Sequence, residues 1–247
     1  MERNGLGDRS REIKVSYWVL GFAGFFLIGF FLAPLSVEKG AVPKLSGRAN
    51  AIDYYSEDSW GNVQDDVGDV GHDQSKHGTF AWSNLNPYAA FIYAFGDLNC
   101  HNKYERSWKI NDNQMPVCTR DVGIFLGLVV GAAIFRQRGL NRWTMRDSFL
   151  SIFPDKMLES TYRKNRRTLA FLGVIALGVI PLAIDGFTQL LTDYESNNVL
   201  RVVTGIPFGA VLSLWFCSSL SARPGKFESA GQVRLPSGAS FRRVEEE

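Results

Sequence analysis

Two cysteines, a histidine and an aspartate stand close enough in the chain to share chemistry. They are Cys100 and His101 side by side, then Cys118, then Asp121 three residues on. All four are legitimate ligands for zinc or iron. The Cys118-x-x-Asp121 spacing suits a common ion, whereas adjacent residues such as Cys100 and His101 seldom point at one centre. In an oxidising compartment Cys100 and Cys118 can instead form a disulfide, closing an 18-residue separation worth about 3 kcal/mol in the chain-entropy picture. Free reactive thiols are the third alternative. Cys217, inside an apolar run, is expected to be a small buried hydrophobe.

A second set of polar residues could hold an anion. Arg106-Ser107 and Arg120 precede the segment Asp185-Gly186-Phe187-Thr188-Gln189, which is followed by Glu195, Arg201 and Thr204-Gly205. Guanidinium groups grip phosphate and carboxylate in two-pronged fashion. Asp185 and Gln189 are four residues apart, so they share a face if a helix runs through them. Arg201 opens an apolar run, and a cation at a helix N-terminus is opposed by the dipole. A carboxylate is therefore expected beside it, with Asp185 nearest in register and Asp121 and Glu195 as alternatives. The candidate functional residues are His101, Arg106, Arg120, Asp121, Asp185, Gln189 and Arg201. A purely structural ion-pair network is the competing reading.

The elements that must position these residues are apolar and long. Residues 17–35, 122–135, 168–184 and 202–222 carry no charge. A bilayer core of about 30 Å needs about 20 apolar residues per helical crossing. The fold class expected is all-α, a polytopic membrane protein with four transmembrane helices. These fall at 17–35 and at about 119–135, 168–187 and 200–222, the last three forming a membrane core over 118–222. Helix 17–35 follows a basic segment but is longer than a signal-peptide core and lacks a small-x-small cleavage site, which favours a retained anchor. The formal net charge of +2 over 247 residues gives no footprint for nucleic acid.

Charge asymmetry orients the crossings. Residues 136–167 hold nine bases and three acids, while 36–117 hold eleven acids and seven bases. The positive-inside rule then makes 1–16, loop 136–167 and tail 223–247 cytoplasmic and puts 36–117 outside the cell membrane. The tail is expected to be disordered. Within the outer loop, residues 36–86 show neither helical nor strand periodicity and read as an irregular or partly disordered insert. Its Asp65, Asp66, Asp69, His72, Asp73 and His77 lack the spacing of a calcium loop and read as a solvated acidic stretch. Residues 87–98 open with Asn86-Pro87 and are aromatic, but too short to span. They are expected to form an interfacial helix.

The Cys100-His101 and Arg106-Ser107 pairs, the Pro116-Val117-Cys118-Thr119-Arg120 run leading into a glycine-rich helix, and the later Asp185-Gly186-x-x-Gln189 with Arg201 and Thr204-Gly205 together resemble a prokaryotic membrane-protein family called domain of unknown function 2085. The resemblance covers about residues 88–215. Many members carry a further cysteine after the arginine, where this chain has Asp121. The family implies a membrane location and no activity.

Three functional classes follow. One is a membrane enzyme or redox protein with an outward site for an anionic or lipid-linked substrate. Another is a structural or assembly protein whose motif staples an outer cap by disulfide and ion pairs. A small transporter is the weakest, because no ionisable residue lies mid-helix and no inverted repeat is visible. No Ser-His-Asp order, phosphate loop or haem motif is present. The partner expected is the lipid bilayer. The stripe Gly123, Gly127 and Gly131 permits close helix packing, within the chain or between copies.

Overall fold

The structure, a computed structural model, describes residues 8–47, 52–62, 74–223, 232, 233 and 235–238. Among these, seven α-helices occur: α1 Ser10–Leu32, α2 Pro87–Asn99, α3 Thr119–Arg138, α4 Met145–Leu150, α5 Asp155–Arg163, α6 Arg167–Leu191 and α7 Asn198–Ser221. An antiparallel pair of two-residue strands, β1 Lys109–Ile110 and β2 Asn113–Gln114, interrupts the helical order. The molecule is thus mostly helical rather than strictly all-α.

Three helices are long and apolar enough to cross a membrane: α1, α6 and α7. The fourth expected crossing, α3, is shorter in its apolar part. Its ends carry Arg120, Asp121, Arg136 and Arg138, leaving 14 uncharged residues between them. At 1.5 Å per residue that stretch is about 21 Å, short of a hydrocarbon core. Apolar side chains stay uncovered along the long helices. Trp18 on α1 is 73% exposed and Leu177 on α6 is 74% exposed. A surface of that kind is suited to lipid.

Helix ends differ from the sequence expectation in informative ways. α1 starts at Ser10, seven residues before the charge-free run, because Asp8 accepts the Ser10 backbone N–H at 3.1 Å and fixes the first turn. α6 continues past Asp185 to Leu191, so the connection to α7 shrinks to residues 192–197. The basic loop 136–167 contains α4 and α5. Thr144 caps α4 by accepting the Asp147 N–H at 3.1 Å.

The chain forms two compact units. One lies within residues 1–23, 126–184 and 206–247, the other within 24–125 and 185–205. The first unit has a core of Phe135, Phe149, Leu150, Leu158, Tyr162, Leu214 and Cys217. Cys217 is fully buried, as its apolar setting implied. Of the tail, the described residues Val233 and Leu235 join this core and the turn Pro236–Gly238 packs on α5. Arg9 donates to the carbonyls of Arg136, Gln137 and Gly139 at 2.7, 3.0 and 3.1 Å, and Arg11 to that of Leu220 at 2.8 Å. These guanidinium groups complete the bare C-terminal ends of α3 and α7. α3 packs on α7 through its glycines. A Cβ at Gly127 would overlap the Ile206 carbonyl oxygen, and one at Gly131 the Ala210 oxygen.

The second unit is centred on an aromatic cluster. Phe26 and Phe30 of α1 pack with Phe95 of α2 and Phe125 of α3, with Phe26 and Phe95 stacked at 3.7 Å between centroids. α2 opens as its sequence implied. Asn86 caps it by accepting the Ala89 N–H at 2.9 Å, and Pro87 occupies the first helical position. The described part of the insert is ordered by buried amides rather than by regular structure. Asn113 accepts the Val42 N–H at 2.8 Å and donates to the Pro34 carbonyl at 2.9 Å. Gln114 accepts the Leu45 N–H at 2.8 Å. Gln74 donates to the Lys44 and Gly78 carbonyls at 3.0 and 2.8 Å. Asp97, on α2, accepts the Asp53 and Tyr54 backbone N–H groups and the Trp82 indole N–H at 2.9–3.0 Å. This described part of residues 36–86 is thus irregular in backbone, as its lack of periodicity implied, and is fastened by side-chain hydrogen bonds. His77 packs edge-on against Tyr104, 5.3 Å between centroids. Asp65, Asp66, Asp69, His72 and Asp73 lie outside the described residues.

Candidate functional site

The candidate residues all belong to the second unit, and two adjoining clusters account for them. The first is built where the end of α2 meets the start of α3. α2 stops at Cys100, whose extended backbone turns the chain away, and Cys118 directly precedes α3. A Cβ at Gly96 would overlap the Pro116 carbonyl oxygen, so only glycine lets these two segments approach. That approach sets the cysteines side by side. The Cys118 backbone N–H donates to Cys100 Sγ at 3.1 Å, and the Cys118 thiol donates to Asp121 Oδ2 at 3.2 Å. The two sulfurs and an Asp121 oxygen all lie within 4.8 Å of one another. Both thiols are free. The neighbouring Cys118 thiol, burial, and the Asp121 carboxylate together push the Cys100 thiol well above its ordinary value. His101 does not join the group. Its side chain is exposed, which is the geometric consequence of following Cys100 directly in an extended segment.

The second cluster links the start of α3, the end of α6 and the start of α7. Arg120 donates to Asp185 Oδ2 in a close ion pair. α6 runs through both Asp185 and Gln189, which share a face as their spacing implied, and Gln189 donates to Asp185 Oδ2 at 3.0 Å. Ser196 donates to the same oxygen at 3.3 Å. Arg201 is only 2% exposed. It donates to Gln189 Oε1 at 2.6 Å and to the Ser196 carbonyl at 3.0 Å. The expected direct pair between Asp185 and Arg201 is therefore not formed. Arg120, from the preceding helix, takes the carboxylate, and Arg201 reaches it only through Gln189 and Ser196. Asp121 faces the thiols instead of Arg201. Glu195 pairs with Arg106 at 3.5 Å. Thr119 donates to the Asn198 side chain at 3.1 Å and fastens the starts of α3 and α7. Gly123 and Gly205 let those helices touch, since a Cβ at Gly123 would overlap the Val202 carbonyl oxygen.

Hydrogen bonding in this cluster is incomplete. Asp185 Oδ1, Arg106 Nε and Arg120 Nε are buried without a hydrogen-bond partner among the described residues. Buried polar groups are nearly always satisfied, so each such atom calls for a reason. Arg106 and Arg120 also lie near enough to Arg201 for their charges to repel it.

Sequence reasoning missed three polar residues that organise the chain. Asp97 clamps the insert, and its signal was a lone acid in an otherwise apolar helix. Asp147 and Arg142 are buried in the first unit, at 0% and 2% exposure. Both sit in the basic stretch that had been read for its charge alone. Arg142 pairs with Asp155 at 2.6 Å, and Asp147 accepts from Tyr162 and Thr144.

Comparison with known proteins agrees with the resemblance. A family model described as predicted membrane protein, DUF2085, matches residues 100–215. An uncharacterized protein of Methanothermobacter thermautotrophicus is 36% identical over 115 residues, covering 47% of this chain and 81% of that protein. An uncharacterized protein of Methanocaldococcus jannaschii is 30% identical over 118 residues, covering 48% of this chain and 61% of that protein. No solved structure matches. The matched region takes in both clusters and leaves out the insert and the tail, and on this evidence the chain belongs to the DUF2085 family of predicted membrane proteins.

Proposed function

We propose that the chain is a four-span protein of the cell membrane whose Arg106–Arg120–Arg201 cluster holds an anionic or lipid-linked substrate at the outer surface. In this reading α3 is the fourth crossing, both termini are cytoplasmic and residues 36–117 are outside. The charge asymmetry of the loops supports the orientation. The short apolar part of α3 is tolerable because its glycines pack it on α7 rather than leaving it alone in lipid.

The observation that carries the anion reading is the grouping of three guanidinium groups near enough to act on one another, with a single buried carboxylate, Asp185, paired to Arg120. Glu195 answers Arg106, but its side chain is 57% exposed and the pair is weak in water. Asp185 answers Arg120. Arg201 has only neutral partners. One positive charge is thus uncompensated within the cluster, and the bare Nε atoms of Arg106 and Arg120 are donors available to an oxyanion. Phosphate- and carboxylate-bearing molecules share that chemistry, and a lipid headgroup is one source of it.

The test uses detergent-purified protein. Its melting temperature should rise with a short-chain phosphatidylglycerol and not with the matching phosphatidylcholine. Inorganic phosphate serves as the soluble comparison. If phosphate alone stabilises, the ligand is a free anion; if only the lipid does, the headgroup is read with its chains. Arg106→Gln, at the rim of the cluster, should remove the response. Equal stabilisation by both lipids, or a response unaltered in Arg106→Gln, overturns the reading. Orientation is checked separately. A reporter active only outside the cytoplasm should work when inserted near residue 70 and stay silent near residue 150.

A further inference from the structure

We infer that Cys100, Cys118 and Asp121 form a binding site for one thiophilic divalent cation, zinc being the plainest occupant. The inference does not rest on the anion reading, since it uses none of its three arginines as ligands. Three arrangements of two neighbouring cysteines were open from the sequence, and the geometry separates them. A disulfide needs only the two sulfurs. Here a third ligand is aimed at them, because Asp121 Oδ2 lies 3.2 Å from Cys118 Sγ and all three ligand atoms fall within 4.8 Å. A tetrahedral ion with metal–sulfur bonds of about 2.3 Å holds its sulfurs about 3.7 Å apart.

The surroundings fit thiolates rather than a neutral sulfur bridge. The Cys118 N–H points at Cys100 Sγ, the kind of outer hydrogen bond that orients a sulfur ligand and stabilises its charge. Asp121 sits in the first turn of α3, where the helix dipole favours negative charge. Two thiolates and a carboxylate around a divalent cation leave one net negative charge. Arg120 is adjacent in sequence and brings a positive charge to the neighbourhood. Without an ion, the two thiols and the carboxylate satisfy one another only in part, with the Cys118 N–H as the one backbone donor in the described bonds. As the ion binds, both thiols give up their protons to solvent. Three protein ligands leave one tetrahedral position for water or an exogenous donor, the pattern of sites that exchange ligands rather than purely structural ones. His101 is exposed and is not assigned as a ligand.

Cobalt is the probe. Full-length protein purified anaerobically in detergent should take up one equivalent of cobalt per chain. The spectrum should show sulfur-to-cobalt charge-transfer absorption in the near ultraviolet and the intense visible bands of a tetrahedral ion. Added zinc should bleach both. Cys118→Ser should abolish the charge-transfer signal of the pair, and Asp121→Asn should weaken cobalt binding on the order of tenfold or more. Cys217→Ser should leave the spectrum unchanged, as should Arg106→Gln, which separates this site from the anion cluster. Wild-type protein that shows no charge-transfer band overturns the inference, whatever the folding of the variants. Recovery of Cys100 and Cys118 joined to each other after anaerobic purification, with no thiol titratable at either, overturns it in favour of the disulfide.

Discussion

Two buried aspartates in this chain, Asp147 in the first unit and Asp185 in the second, meet the same physical problem with opposite outcomes. Asp147 is fully buried and uses both oxygens. Oδ1 accepts the Tyr162 hydroxyl at 2.8 Å and Oδ2 the Thr144 hydroxyl at 2.5 Å, while Arg146 and Arg167 lie at 3.8 and 3.6 Å. Burial, followed by this carboxylate, pushes the Tyr162 phenol up, which keeps it a donor. Asp185 loads every partner onto one oxygen. Arg120, Gln189 and Ser196 all donate to Oδ2, and Oδ1 has none among the described residues. A carboxylate served on both sides behaves as a fastening. One served on a single side, among arginines with idle donors, is a partly filled network, and such networks are costly unless something completes them. The contrast is the physical ground for looking for function at Asp185 and for stability at Asp147.

The largest expected effect is at Asp147. Asp147→Ala takes the acceptor from Tyr162 and Thr144 and the counter-charge from two arginines, and should cost about 3–5 kcal/mol. A melt of the detergent-solubilised protein measures it. If Asp185→Ala proves the more damaging of the two, the assignment of fastening and functional centre is reversed.

Coupling around Asp185 comes next. The ion pair with Arg120 predicts that Arg120→Ala and Asp185→Ala are non-additive, by about 0.5–3 kcal/mol in a double-mutant cycle. The cycle of Asp185 with Arg201 should show a smaller coupling, since those two communicate only through Gln189 and Ser196. Equal couplings would mean that Arg120 and Arg201 share the carboxylate.

These residues also show where sequence reading succeeds and where it stops. The pairing of Asp185 with Gln189 was legible because a helix fixes the geometry of residues four apart. So was the meeting of Cys100 with Cys118, as one of a few ways to use two cysteines flanking a short loop. The partner of Asp185 was not legible. Arg201 follows it by 16 residues across a short connection, while Arg120 precedes it by 65. Register favoured the nearer one, but the face that α7 turns toward α6 is set by glycine packing against α3. The fastening of the insert was not legible for a different reason. Its order comes from Asn113, Gln114, Gln74 and Asp97, each making a few contacts across tens of residues, and such contacts leave no periodicity to read. In the tail, Val233 and Leu235 are two apolar residues in a polar stretch, too few to announce a docking segment without the groove that receives them.

The smallest expected effect concerns Asp97, whose partners resemble those of Asp185 in number but not in kind. Three neutral N–H donors converge on its Oδ2. Burial dominates and carries the Asp97 carboxyl above its ordinary value, against the pull of those donors. The charge therefore contributes little to holding the insert, and the acceptor oxygen contributes most. Asp97→Asn, which keeps an oxygen at that place, should change stability by less than about 1 kcal/mol, whereas Asp97→Ala should expose two backbone amides and open the insert to trypsin. The pH dependence follows the same logic. An acid whose value is raised on folding binds its proton more tightly in the folded chain, so its contribution grows as pH falls through that raised value and is lost as pH rises. Hydrogen-exchange protection of the Asp53 and Tyr54 amides, corrected for intrinsic rates, should be at least as high near about pH 5 as near about pH 7. In Asp97→Asn that trend should disappear. Protection that falls on acidification would show that the ionised carboxylate is what holds the insert. Asp97 would then belong with the charged centres rather than beside Asn113 and Gln114.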